Sequence, residues 1–299
     1  MPRNLNAIRV LFSTIACFTL LACNGKNTEP KTTVKADSAT DSAISPVQPA
    51  VPYVFIDDGG KGGIPVLFVH SFGGSTRHWA NQLAHLRKTR RAIAMDLRGH
   101  GKTPAPLDSN YSVEALATDI ERVVDSLDLE RVVLVGHSMG GSAAISYAGK
   151  YPNRVAALVL EGTPGKSNPE QSKEIMASLK SDQYDTVMST YMNQILNHAK
   201  PATRALETEG IAKLNRAVSL KMIEGLFDFN PVPILQKFPG PSIFITTPAE
   251  NEPTALHHSF PKIPHKVVSG TSHWIHLDKP DQFNSILDAF LLKVGDQII

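Results

Sequence analysis

Arg131-Val132-Val133-Leu134-Val135-Gly136-His137-Ser138-Met139-Gly140 joins a short apolar run to a serine flanked by glycines. Arg131 to Val135 is continuous and rich in β-branched residues, as a buried strand should be. Gly140-Gly141-Ser142-Ala143-Ala144-Ile145-Ser146-Tyr147-Ala148 reads as a closely packed helix. A nucleophilic serine needs its hydroxyl held exposed on a sharp strand-to-helix turn. Glycines flank it because side chains would clash at such a bend. Glycine is common enough for a bare G-x-S-x-G to arise by chance. A strand leading in and a helix leading out favour the nucleophile reading of Ser138 over coincidence.

The same alternation runs outward from the serine. Ile64 to Val69, Arg91 to Met95, Val155 to Leu160, Pro241 to Thr247 and Lys266 to Ser269 read as strands. Helices are expected near Thr76–Leu86, over Val113–Leu127 (apolar side Val113, Leu116, Ile120, Val123, Val124, Leu127) and over Gln282–Leu292. β-branched runs alternating with helices imply an α/β fold whose mostly parallel sheet is covered on both faces. Residues from about 164 to 238 are too long for a loop and helical in pattern, so they form an inserted cap. Tyr184, Val187, Met188, Tyr191, Met192, Ile195 and Leu196 give that cap one broad apolar face. Most of the stripe is expected to be core. Four of the seven methionines (176, 188, 192 and 222) fall in this region and could line an adaptable pocket.

Three further motifs stand in order around the serine: His70-Ser71-Phe72-Gly73-Gly74, Asp96-Leu97-Arg98-Gly99-His100-Gly101 and Gly270-Thr271-Ser272-His273. They are similar to the H-G-x-x-G oxyanion loop, the D-x-R-G-x-G turn and the G-x-x-H of the α/β-hydrolase superfamily. The resemblance covers residues 53–299. It implies the α/β-hydrolase fold and a serine esterase or lipase-like activity, with no cofactor. His273 is then the general base, because serine at its free pKa is a weak nucleophile. His276 is the rival, although a packing role suits it better; His137 faces away from the nucleophile and His70 braces its loop. The acid follows the penultimate strand in the chain order Ser, acid, His. Glu250 occupies the usual slot, Glu252 competes, and Glu161, after the preceding strand, is an outside candidate. The resemblance also assigns the oxyanion donors to the backbone N–H groups of Phe72 and Met139. Ser71 stands where the family keeps glycine; a positive φ there would strain it.

The N-terminus reads differently. Arg3 and Arg9 precede an apolar stretch, Val10 to Leu21, too short to span a bilayer. Leu20-Leu21-Ala22-Cys23 resembles the bacterial lipobox, which implies cleavage before a lipidated Cys23. Residues 1–22 are then a lipoprotein signal peptide. Residues 23–52, polar and proline-bearing, are a disordered tether to a membrane of the bacterial cell envelope. The leader holds two arginines and no acid, so its removal cancels the net charge of +2, which argues against a nucleic-acid partner. Cys17 and Cys23 are the two cysteines, and no Cys/His cluster has metal spacing.

The expected activity is hydrolysis of a small apolar carboxylic ester through an acyl-enzyme on Ser138, with Glu250 and His273 completing the triad. A lactone, thioester or carbon–carbon bond is the alternative within the fold. A non-catalytic ligand-binding member is the alternative outside enzymes.

Overall fold

A computed structural model describes residues 53–296; the expected signal peptide, lipidated Cys23 and tether lie outside them. The chain runs through β1 (Ile56–Gly59), β2 (Val66–Val69), α1 (Ala80–Leu86), β3 (Ala92–Met95), α2 (Val113–Ser126), β4 (Val132–His137), α3 (Met139–Lys150) and β5 (Val155–Glu161). Five helices follow: α4 (Pro169–Lys180), α5 (Tyr184–Ile195), α6 (Pro201–Ala212), α7 (Arg216–Asp228) and α8 (Val232–Leu235). Then come β6 (Ser242–Thr246), β7 (His265–Val267), α9 (Ile275–Asp278) and α10 (Pro280–Asp296). The described strands form one sheet in the order β1-β3-β2-β4-β5-β6-β7, parallel except for β1 against β3.

The inner strands β2 to β6 are buried on both faces, which is why they are largely apolar. Side chains alternate across a strand, so Leu67 and Val69 enter one core with Leu116, Ile120 and Val124 of α2 and Ala143 and Ala144 of α3. Val66 and Phe68 enter the other, with Leu83 and Leu86 of α1 and Phe283, Leu287 and Leu291 of α10. The apolar positions expected over 113–127 all face the first core, and Ser112 starts α2 by accepting the Ala115 N–H at 3.2 Å.

Strand β1 has no apolar run to announce it. Its Asp57 and Asp58 are fixed by Arg87 and Arg91 (2.8 and 2.7 Å) while its backbone pairs with β3. The insert is helical, as expected. Ile175, Met176, Leu179, Val187 and Met188 form its own small core, against which Phe72 packs. Met176 and Met188 are therefore interior packing, not pocket wall.

Candidate active site

Among the described residues, the expected catalytic and oxyanion residues follow the C-terminal ends of parallel strands, where the chain leaves the sheet. Ser138 closes β4 and precedes the first residue of α3 with φ 52° and ψ −115°, a region that costs a non-glycine residue strain. The turn is held from two sides. The Ser138 N–H continues the β4–β5 ladder to the Glu161 carbonyl at 2.8 Å, and the Ser138 carbonyl accepts Gly141 N–H at 2.9 Å. Gly140 is required because α3 begins against the end of β2: a Cβ there would lie 2.3 Å from the Val69 carbonyl oxygen. Met139, as the first helical residue, has an N–H with no intrahelical acceptor.

The loop after β2 is braced by neutral histidines. His70 Nε2 accepts the Leu97 N–H (2.9 Å), so Nδ1 carries the proton and donates to the Ser71 carbonyl (2.7 Å). His100 Nε2 accepts the Gly73 N–H (3.1 Å), and its Nδ1 donates to the Arg98 carbonyl (3.0 Å). Burial, reinforced by neighbouring histidine charge, holds His70 well below the ordinary imidazole range and His100 at about 4. Both bonds need an unprotonated Nε2, and burial keeps it so. The D-x-R-G-x-G turn supports the loop from below: Asp96 accepts the Thr76 N–H at 2.6 Å, while Arg98 forms a buried fork with Asp119 (2.8 and 2.7 Å). The positive φ of the loop after β2 falls on Gly73 (76°), not on Ser71, so serine is accommodated there without backbone strain.

His273 finds its carboxylate in Glu250. A 3-10 turn over Pro248–Glu250 follows β6 and folds the glutamate back, so that Oε2 accepts the Thr247 N–H at 2.7 Å. Oε1 is left for His273 Nδ1, in a short hydrogen bond. A carboxylate can only accept, so Nδ1 holds the proton and Nε2 is the basic nitrogen. Burial opposes charge on this ring. The charge and hydrogen bond of Glu250, with Glu161 and Glu207 further off, outweigh it, and the pKa rises above the ordinary value. Glu252 lines the neighbouring cavity along with Glu250 and makes no bond to His273.

Glu161 is engaged elsewhere. It receives the His276 N–H (3.1 Å) and His276 Nδ1–H (2.8 Å), both residues being fully buried, and Trp79 stacks on the His276 ring at 4.1 Å. The packing role expected for His276 is the one observed. His137 stands between the two Glu–His pairs, its ring 4.5 Å from His273 and 5.0 Å from His276, and its Nε2–H donates to the His273 carbonyl at 3.0 Å. Ser138 and His273 are thus joined through the residue before the serine. That brace has no signal in the sequence, since 136 positions separate its ends.

A cavity of about 430 Å3 lies against the Glu250–His273 pair, walled in part by Gly162, Tyr191, Ile195 and His257. Tyr191 and Ile195 come from the apolar stripe of α5. Burial and then the Glu250 charge push the Tyr191 phenol up, so it stays neutral. Ser138, Met139 and Phe72 are not among the cavity's walls, and Ser138 is 9% exposed. Among the described residues no cluster of three His, Cys, Asp or Glu has metal-holding geometry.

This architecture has known counterparts. The family described as alpha/beta hydrolase fold matches residues 64–209. A Bacillus subtilis protein provisionally named 2-succinyl-6-hydroxy-2,4-cyclohexadiene-1-carboxylate synthase is 27% identical over 83% of this chain and 97% of its own. The sn-1-specific diacylglycerol lipase ABHD11 of Mus musculus is 27% identical over 76% of this chain and 80% of its own. A thermophilic esterase from Thermogutta terrifontis superimposes with a TM-score of 0.71 at 22% identity, over 81% of this chain and 93% of that one. With the sheet order, the serine elbow and the helical insert between β5 and β6, these matches show that the chain has the α/β-hydrolase fold.

Proposed function

We propose that the protein hydrolyses carboxylic esters through an acyl-enzyme on Ser138. The observation that carries the reading is His273: its Nδ1–H is fixed on Glu250, so the basic Nε2 is free for a substrate-side proton. Ser138 Oγ attacks the ester carbonyl as Nε2 takes its proton. The N–H groups of Phe72 and Met139 receive the oxyanion. Collapse expels the alkoxide, which leaves as the alcohol with the proton from His273. Water, deprotonated by the same nitrogen, then releases the acid and restores the serine. Because the ring must start neutral, turnover rises with pH through the raised His273 pKa. The diacylglycerol lipase among the relatives, itself named for ester cleavage, supports the substrate class.

Intact mass after reaction with a fluorophosphonate tests this, with Ser138→Ala alongside. One stoichiometric adduct, absent from the variant, together with turnover of p-nitrophenyl esters, is expected. No adduct on the folded wild-type protein sinks the reading.

For the N-terminus we propose that Cys23 carries lipid and holds the domain at a bacterial envelope membrane, on the lipobox-like stretch alone. No helix among the described residues is long and apolar enough to cross a membrane. Cys23→Ser should leave the membrane fraction; unchanged partitioning would count against the anchor.

A further inference from the structure

The cap is hydrogen-bonded to the loop that carries the base. The His273 N–H donates to the carbonyl of Ile195, the last residue of α5, at 3.0 Å. Asp278, 1% exposed at the end of α9, receives four donors. Its Oδ1 accepts the Lys200 N–H (2.9 Å) and the Thr203 hydroxyl (2.7 Å), both where α6 begins. Its Oδ2 accepts the N–H and hydroxyl of Ser272 (2.8 and 2.5 Å), the residue before His273. One oxygen therefore serves the cap and the other serves the base.

We propose that Asp278 is a positioning residue that couples cap seating to placement of His273 against Glu250. The inference rests on the reading of His273 as the general base. A carboxylate suits the post because it accepts on all its lone pairs, and charge assistance makes each of its bonds stronger than a neutral one. The far end of α6 is fixed as well. A Cβ on Gly210 would lie 2.1 Å from the Gly73 carbonyl oxygen, and Glu207 sits 2.7 Å from His78 Nε2. Twelve residues of helix, about 18 Å, thus run from the base loop to the oxyanion loop. When the α5–α6 junction lifts, His273 loses the Ile195 carbonyl and Ser272 loses the cap-side half of its anchor. An open enzyme then has an unseated base, and closure over substrate restores it.

Truncating Asp278 risks the fold, so the test uses Thr203→Val on the cap side, Ser272→Ala on the loop side, and the double variant. Wild-type labelling by a fluorophosphonate comes first; its failure would overturn the base assignment and not the coupling. Given labelling, Thr203→Val should keep its melting temperature within a few degrees and lower kcat about tenfold, roughly one well-made charge-assisted hydrogen bond. KM should stay within about threefold, since a unit acting on the chemical step lowers kcat selectively. The acidic limb of the rate profile should move to lower pH, because a ring that leaves Glu250 loses what raises its pKa. The double variant should lose less than the product of the single losses, because both act through one carboxylate. Wild-type kcat and pH profile in Thr203→Val, or strictly multiplicative losses in the double variant, would overturn the coupling.

Discussion

Replacing Gly162 by alanine puts a methyl group against the back of the Glu–His pair. Its Cβ would stand 2.6 Å from His273 Cε1, 2.9 Å from Nδ1 and 3.1 Å from Glu250 Oε1. Carbon atoms rest at about 3.5–4.0 Å, so the ring must withdraw by about 1 Å or the glycine backbone must move. The backbone is not free to do so, because the Gly162 N–H is bonded to the Ile245 carbonyl at 3.0 Å, where β5 leaves the sheet beside β6. The residue also has φ +51°, which costs an alanine roughly 1–2 kcal/mol.

Displacing a reacting group by about 1 Å costs on the order of 10²-fold in rate, equivalent to about 2.7 kcal/mol of barrier. Gly162→Ala should therefore lower kcat about 100-fold on a short p-nitrophenyl ester and slow fluorophosphonate labelling in proportion. Stability should fall by only about 1–2 kcal/mol, a drop of about 2–8 °C in melting temperature for a domain of this size. Gly63→Ala separates strain from displacement. Gly63 has φ +61°, but its nearest neighbour is Arg90 Cβ at an ordinary 3.6 Å, before β2 and away from the strand ends that hold the site. That variant should lose similar stability and keep its activity. A stable Gly162→Ala protein within threefold of wild type would refute the assignment of the chemistry to this pair.

Glu250→Gln should reduce kcat by about 10⁴-fold, the cost of losing a triad acid, whereas Glu252→Gln, in the cavity wall but with no bond to His273, should cost far less. The residual activity of Glu250→Gln should show its acidic limb at lower pH, since Glu250 supplies the main upward pull on His273; equal losses in the two variants would move the acid. The buried histidines make a separate prediction about stability. His100, held at about 4, and His70 and His137, also lowered, stay neutral in the fold but bind protons when the chain unfolds below pH 6.5. The unfolded state then holds more protons, so stability falls as pH drops from 6.5 toward 4. His273 and Asp96, both raised, act with the opposite sign, but they are two groups against five, because His257 and His265 are lowered as well. Urea unfolding at pH 7 and pH 5 measures this, and an unchanged midpoint would show that the loop braces charge without cost.

What was legible in the sequence follows from where steric demand writes a residue type. The elbow could be read because only glycine lets α3 begin 2.3 Å, by an added Cβ, from the end of β2. The inner strands could be read because burial on both faces makes them largely apolar, whereas β1, with Asp57 and Asp58, has no such run. The acid could not be settled, because Glu250 and Glu252 lie two residues apart in an irregular turn that has no periodicity to distinguish them. In the fold Pro248 opens a 3-10 turn that bends Glu250 Oε2 onto the Thr247 N–H and leaves Oε1 for His273, and this contact is what favours Glu250 in the proposed triad. Glu161 is an outside candidate in the sequence because it follows the preceding strand, and in the fold it is occupied by a histidine 115 positions away.

The departure at Ser71 shows how a motif can shift by conformation instead of composition. The left-handed backbone sits two residues later, at Gly73, where His100 accepts its N–H, so the position that differs from the family pattern carries no conformational demand. The same logic explains why the helical insert was visible as helices while its role was not. Its apolar stripe divides between a private core (Val187, Met188) and cavity wall (Tyr191, Ile195), a division set by rotation about the α5 axis that 3.6-residue spacing alone leaves undetermined. The contacts that could make the insert part of the chemistry are single carbonyls and hydroxyls: Ile195 on His273, and Thr203 and Lys200 on Asp278. Polar atoms at helix ends leave no hydropathy signature. A cap that only roofed a pocket would need its apolar face alone. A cap that also seats a base needs these few polar atoms at the α5–α6 junction, and it is their loss, not loss of the stripe, that should separate an open enzyme from an active one.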